Sequence, residues 1–123
     1  MSRIVSLVVA VALAAPACGG PEQVFGVSDS SGDVVAEFNY EIPVGAGEQL
    51  DQGTPLEILP GELRATVGQS IEIVNLDDRG HLVGPWYVGA GETLRQEFTS
   101  PGEFIGICTV HPSGEIKVIV EEA

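Results

Sequence analysis

The stretch Gly102–Glu122, "GEFIGICTVHPSGEIKVIVEE", decides the fold of this 123-residue chain. In its first arm Phe104, Gly106 and Cys108 fall on one side; in its second arm Ile116, Val118 and Val120 do the same. A period of two is the mark of a strand with one buried face. The "HPSG" between the arms, His111–Gly114, is turn chemistry. The stretch therefore reads as two strands joined by a short loop, with a cysteine closing the first strand and a histidine inside the loop.

Working outward, the same period recurs. "ETLRQEFTS" (92–100) sets Leu94 and Phe98 on one side with Gln96 between them. "SIEIVNLD" (70–77) alternates Ile71 and Ile73 and then shifts, which predicts a strand buried on one face or bulged near Val74. "LEIL" (56–59) and "ELRATV" (62–67) flank a Pro60-Gly61 turn, "VVAEFNYEI" (34–42) is the first strand, and "GAGEQLDQGT" (45–54) is a long loop. No segment beyond the leader keeps a helical period over three turns. About seven short strands divided by Gly, Pro and Asp signals predict an all-β Greek-key sandwich over residues 33–123.

The start of the chain is different in kind. "MSRIVSLVVAVALAAPACGG" has one basic residue, Arg3, an apolar run from Ile4 to Ala15, and small residues before Cys18. That is the pattern of a secretory signal, residues 1–17, and it is too short to span a bilayer comfortably. "AAPAC" resembles a bacterial lipobox, which implies cleavage before Cys18 and a lipid on its sulfur. Residues 18–32, small, polar and turn-rich, read as a flexible tether. The expected location is the outer face of the cell membrane, lipid-anchored, or the periplasm or extracellular space.

Eighteen acidic residues against five basic ones give a net charge of −13. Nucleic acid is therefore excluded as a partner, while a basic protein, such as a small electron carrier, would be attracted. The domain is expected to act as a monomer.

Two cysteines and two histidines are all the chain has. Exported proteins ordinarily spend cysteines on disulfides; a lipidated Cys18 leaves Cys108 without a partner. Cys108 then reads either as a small buried hydrophobe or as a held thiolate, and His111, three residues on, favours the second reading. His81 follows the exit of an earlier strand, and in a sandwich two such strand ends can meet at one pole. His81, Cys108 and His111 together form the two-imidazole, one-thiolate set that suits copper, because thiolate favours Cu(I) and imidazole accepts both oxidation states.

At this point the chain resembles the cupredoxins, the plastocyanin-like proteins and the copper domain of cytochrome oxidase subunit II. The resemblance runs over roughly Leu59 to Val120: "ELRATVGQSIEIVNLDDRGH" leads to the first histidine, "GETLRQEFTSPGEF" precedes the copper loop, and "CTVHPSGEIKVIV" is the loop with the strand that follows it. It implies one copper ion cycling between Cu(I) and Cu(II), held by His81, Cys108 and His111, and electron exchange with a cytochrome- or oxidase-like partner rather than catalysis. Two departures stand out. The family's axial methionine, three or five residues after the second histidine, is replaced by Gly114 and Ile116, and the only methionine is Met1. The axial position is left open, to the Gly80 carbonyl, to Glu115 or to nothing. Leu82 stands where an asparagine often follows the first histidine, and Asn75, Asp77 or Asp78 are the residues available to replace its bracing role.

Other readings of the same residues are a copper carrier or scavenger with no redox role, a native zinc site, a Cys/His hydrolase, and a metal-free binding module on the same fold. Trp86 and Tyr87 read as core or rim packing. With Pro85 and Pro112 they also suit an apolar docking rim around His111.

Overall fold

A computed structural model describes residues 24–29 and 35–123. The expected secretory leader, Cys18 and most of the expected tether lie outside the described residues. Among those that are described, no helix is long and apolar enough to cross a membrane.

The described residues form nine strands and one short helix: β1 (Gly26–Asp29), β2 (Phe38–Ile42), α1 (Ala46–Asp51), β3 (Glu62–Thr66), β4 (Ser70–Asn75), β5 (His81–Val83), β6 (Trp86–Val88), β7 (Thr93–Ser100), β8 (Gly102–Ile107) and β9 (Glu115–Glu121). One sheet has the order β1-β7-β4-β2 and a second the order β3-β9-β8; β5 and β6 form a hairpin. The pairs β2/β4 and β3/β9 are parallel, the others antiparallel. Parallel neighbours need a crossover. Here β3, in the second sheet, separates β2 from β4, so the chain crosses between sheets as a sandwich requires. The expected all-β sandwich is what the chain forms.

Alternation explains which faces meet. Leu63 and Ala65 of β3, Ile71 and Ile73 of β4, Phe98 of β7 and Ile116, Val118 and Val120 of β9 are buried in one core. At the β1 end Phe98 meets Phe25 edge-on at 5.4 Å between ring centroids, and Trp86 tilts against both. No bulge interrupts β4; its inward series continues regularly to Asn75, which is fully buried.

Four expectations need correction. Residues 26–29, inside the span read as a tether, pair with β7, because burial of Phe25 under Trp86 and Phe98 seats the segment on the sheet. The long loop at 45–54 contains α1, which is too short to reveal a helical period. "LEIL" joins no ladder. It lies between Pro55 and Pro60, buries Leu56 and Leu59, and donates only the Ile58 N–H to the Val110 carbonyl at 3.0 Å. The β5–β6 hairpin was not expected. Its two-residue loop, Gly84-Pro85, puts a φ of 57° on glycine, the residue such loops require.

Candidate metal centre

His81 opens β5, and β5 lies against the segment that carries Cys108. Val83 and Cys108 form an antiparallel bridge, the Thr109 N–H donates to the Leu82 carbonyl at 3.0 Å, and the Gly84 N–H donates to the Ile107 carbonyl at 2.8 Å. The side chains of Val83 and Cys108 are both fully buried. The thiol is free, and burial pushes its pKa up, partly offset by the Val110 backbone N–H. A second arm of the loop closes on it as well, since the Cys108 N–H donates to the Gly114 carbonyl at 3.0 Å.

The His81 imidazole is 4% exposed and is held from both edges. Its Nε2 lies 2.7 Å from Asp77 Oδ2, and its Nδ1 faces Thr109 Oγ1, beside Cys108, at 3.4 Å. Asp77 is itself buried and accepts the N–H groups of Gly45 at 3.1 Å and Gly47 at 2.8 Å. The hydrogen bond with His81, reinforced by backbone N–H groups including those of Gly47 and Gly45, holds its carboxyl well below the usual range against the opposing effect of burial.

Asn75 organises the approach to His81. Its side-chain N–H groups are shared among the carbonyls of Arg79 at 2.7 Å, Val88 at 3.1 Å and Gly89 at 3.1 Å, and its oxygen accepts the Asp77 N–H at 3.0 Å. Of the residues considered as substitutes for the missing family asparagine, Asn75 and Asp77 brace the His81 loop, whereas Asp78 is exposed. The Cys108 loop is fixed instead by Leu82 and Gly114.

His111 is placed differently. It sits half-buried in a turn closed by the Gly114 N–H to its own carbonyl, with its Nδ1 2.7 Å from Ser113 Oγ and accepting the Ser113 N–H at 3.1 Å. The ring edge carrying Nε2 lies over Gly61, where a Cβ would stand 3.4 Å from it. Nε2 is thus the ring nitrogen not engaged locally. Glu115 is exposed at the start of β9, opposite Ile107 on the outer face, and Tyr87 packs over Gly80.

Among the described residues, no three His, Cys, Asp or Glu side chains converge as a group that could hold a metal ion. The fold brings His81 against the Cys108 loop and leaves His111 turned toward Gly61. The donor chemistry fits copper: one unpaired buried thiol, one imidazole with its close hydrogen bond on Nε2 and a long one on Nδ1, and a second imidazole three residues beyond the thiol.

Sequence reasoning named Asn75 only as one of three bracing candidates and did not assign the parts played by Thr109 and Ser113. Asn75 carried a usable signal, since it continues the inward series Ile71, Ile73 with a polar residue. Asp77, four residues before His81, carried a weaker one.

The chain matches no family model and no curated protein. Among solved structures it is similar to amicyanin from Paracoccus versutus, at 20% identity and a TM-score of 0.48 over 77% of this chain and 97% of that one. It is also similar to a copper-containing nitrite reductase from Thermus scotoductus, at 25% identity and a TM-score of 0.43, over 76% of this chain and 25% of that one.

Proposed function

We propose that this protein is an exported, lipid-anchored copper protein of the cupredoxin type, which carries electrons through one ion held by His81, Cys108 and His111. The observation that supports it best is the fully buried, unpaired Cys108 one bridge away from the strand that begins with the braced His81. Copper bound there would supply a one-electron couple. The chain supplies a rigid sandwich, a dry thiol, and a histidine fixed before any ion arrives. The acidic surface favours a basic redox partner.

Adding Cu(II) to the purified chain tests the reading. An intense visible thiolate-to-copper band that disappears in Cys108→Ser, with the β-sheet circular dichroism retained, supports it. Stoichiometric but colourless copper binding, or colour that survives the substitution, refutes it.

A second reading, a carrier that passes copper on without redox cycling, draws on the looser hold on His111. That ring is tied only within its own turn, and the loop offers no axial thioether. Reversible voltammetry of the copper-loaded protein separates the two, because a carrier has no need of fast electron exchange.

A further inference from the structure

We infer that the pole of the sandwich carrying His81, Cys108 and His111 is held facing away from the bilayer, so that its partner is a basic, water-soluble protein arriving from the aqueous side. This inference rests on the reading of Cys18 as a lipid anchor and of that pole as the copper site. Strand direction places each feature at one end or the other. β4 runs toward Asn75 and the loop that leads to His81, and its end pairs with the start of β7, Val74 opposite Thr93. β8 runs toward Cys108, and its end meets the start of β9, Ile107 opposite Glu115, with His111 in the loop between them. All three candidate ligands therefore lie at one pole.

The opposite pole gathers the other strand ends, Gly102 beside Val120 and Thr66 beside Glu121. β1 starts there as well, because Gly26 stands opposite Ser100, the last residue of β7. The chain is fixed where it enters. Phe25 is buried against Trp86 and Phe98, and the Gly26 N–H donates to Ser100 Oγ at 2.7 Å. The free span between anchor and domain is thus only the stretch from Cys18 to Val24.

Two lengths decide the orientation. The six residue steps from Cys18 to Val24 reach at most about 21 Å, however far they extend. β7, whose eight residues run from the metal pole to the anchored one, is about 24 Å long. To bring the metal pole onto the bilayer, the tether would have to reach back along more than the whole of β7, since the loops before Thr93 add to the distance. It is too short to do so. The anchored pole carries the exposed Glu121 and Glu122, which anionic headgroups repel, so tether length rather than adhesion sets the orientation. A partner sunk in the bilayer meets that acidic pole, whereas a soluble one meets the candidate ligands.

NMR of the copper-free, nitrogen-15-labelled protein, taken from bacterial membranes into bicelles that carry a gadolinium-chelating lipid, tests the orientation after mass spectrometry of its N-terminus. The amide signals of Gly26, Gly102 and Glu121 should be lost, and those of His81, Thr109 and Gly114 retained. A Gly/Ser segment inserted between Gly20 and Pro21, long enough to reach past β7, should abolish the difference. Loss at the metal pole, or equal loss at both poles, in an acylated parent overturns the orientation and leaves the anchor reading standing. A difference that survives the insertion overturns tether length as its cause. A parent without acyl chains on Cys18 refutes the anchor reading and this proposal with it. After copper loading, a basic water-soluble cytochrome should exchange electrons with the anchored protein and with Cys18→Ala at comparable rates; loss of exchange in the anchored form overturns the soluble partner. A parent that takes up no copper refutes the copper reading alone, while the amide signals still decide which way the pole faces.

Discussion

Replacing Asn75 with alanine should destabilise the protein far more than the loss of one polar side chain suggests. Asn75 is fully buried, and its amide serves four backbone groups: the carbonyls of Arg79, Val88 and Gly89, and the N–H of Asp77. Each buried polar group stranded by a truncation costs about 1–3 kcal/mol. Water admitted to the space left behind would recover part of that, so the net loss should be about 3 kcal/mol. For a domain of this size that corresponds to a fall in Tm of about 12–24 °C. Asn75→Asp should cost more at neutral pH, since it turns a donor facing three carbonyls into a charged acceptor. Urea denaturation, followed by the fluorescence of Trp86, the chain's one tryptophan, and by far-ultraviolet circular dichroism, measures the change. The slope with denaturant should stay constant if only the native state is affected. A loss below about 1 kcal/mol for Asn75→Ala, or an aspartate variant as stable as the parent, would show that the three-carbonyl clamp does not hold this loop.

Phe25→Ala should cost about 3 kcal/mol through the lost packing on Phe98 and Trp86 and should free the amides of residues 26–29 to rapid hydrogen exchange; unchanged exchange there would mean that β1 is held by its ladder alone. Gly84→Ala should cost about 2 kcal/mol, because φ is 57° and the new Cβ would lie 2.9 Å from Ile116 Cγ2; thermal unfolding indistinguishable from that of the parent would contradict this. In a bacterial host the parent should fractionate with membranes and Cys18→Ala should not; equal release of the two would remove the lipid anchor from the proposed function.

Much of the sandwich was legible because its central strands bury one face. Leu63 and Ala65, Ile71 and Ile73, and Ile116, Val118 and Val120 announce themselves by alternation, and they are the core. What could not be read lacked that signal. β1 is four residues long with three exposed, and its only cue is the phenylalanine before it. β5 and β6 have three residues each, and α1 has six, all shorter than the windows over which a period can be counted. At the site, His81, Cys108 and His111 stood out because those residue types are scarce in this chain. Asp77 did not, since "LDDRG" looks like a solvated loop. Which of its two aspartates turns inward depends on Gly45 and Gly47, some thirty residues earlier in the chain.

The position of β9 bears on how such a chain can acquire its structure during synthesis. β9 is the last strand and lies at the centre of its sheet, between β3 and β8. Until Glu115–Glu121 is available, β3 has no ladder partner and the sheet is two unconnected strands. The earlier sheet can form first, but one of its faces would then await its apolar cover. The ladders of the second sheet therefore form only when Glu115–Glu121 is in place, which makes its pairing late and non-local. If the chain is exported as proposed, that order of pairing lets it cross the membrane before its second sheet is complete.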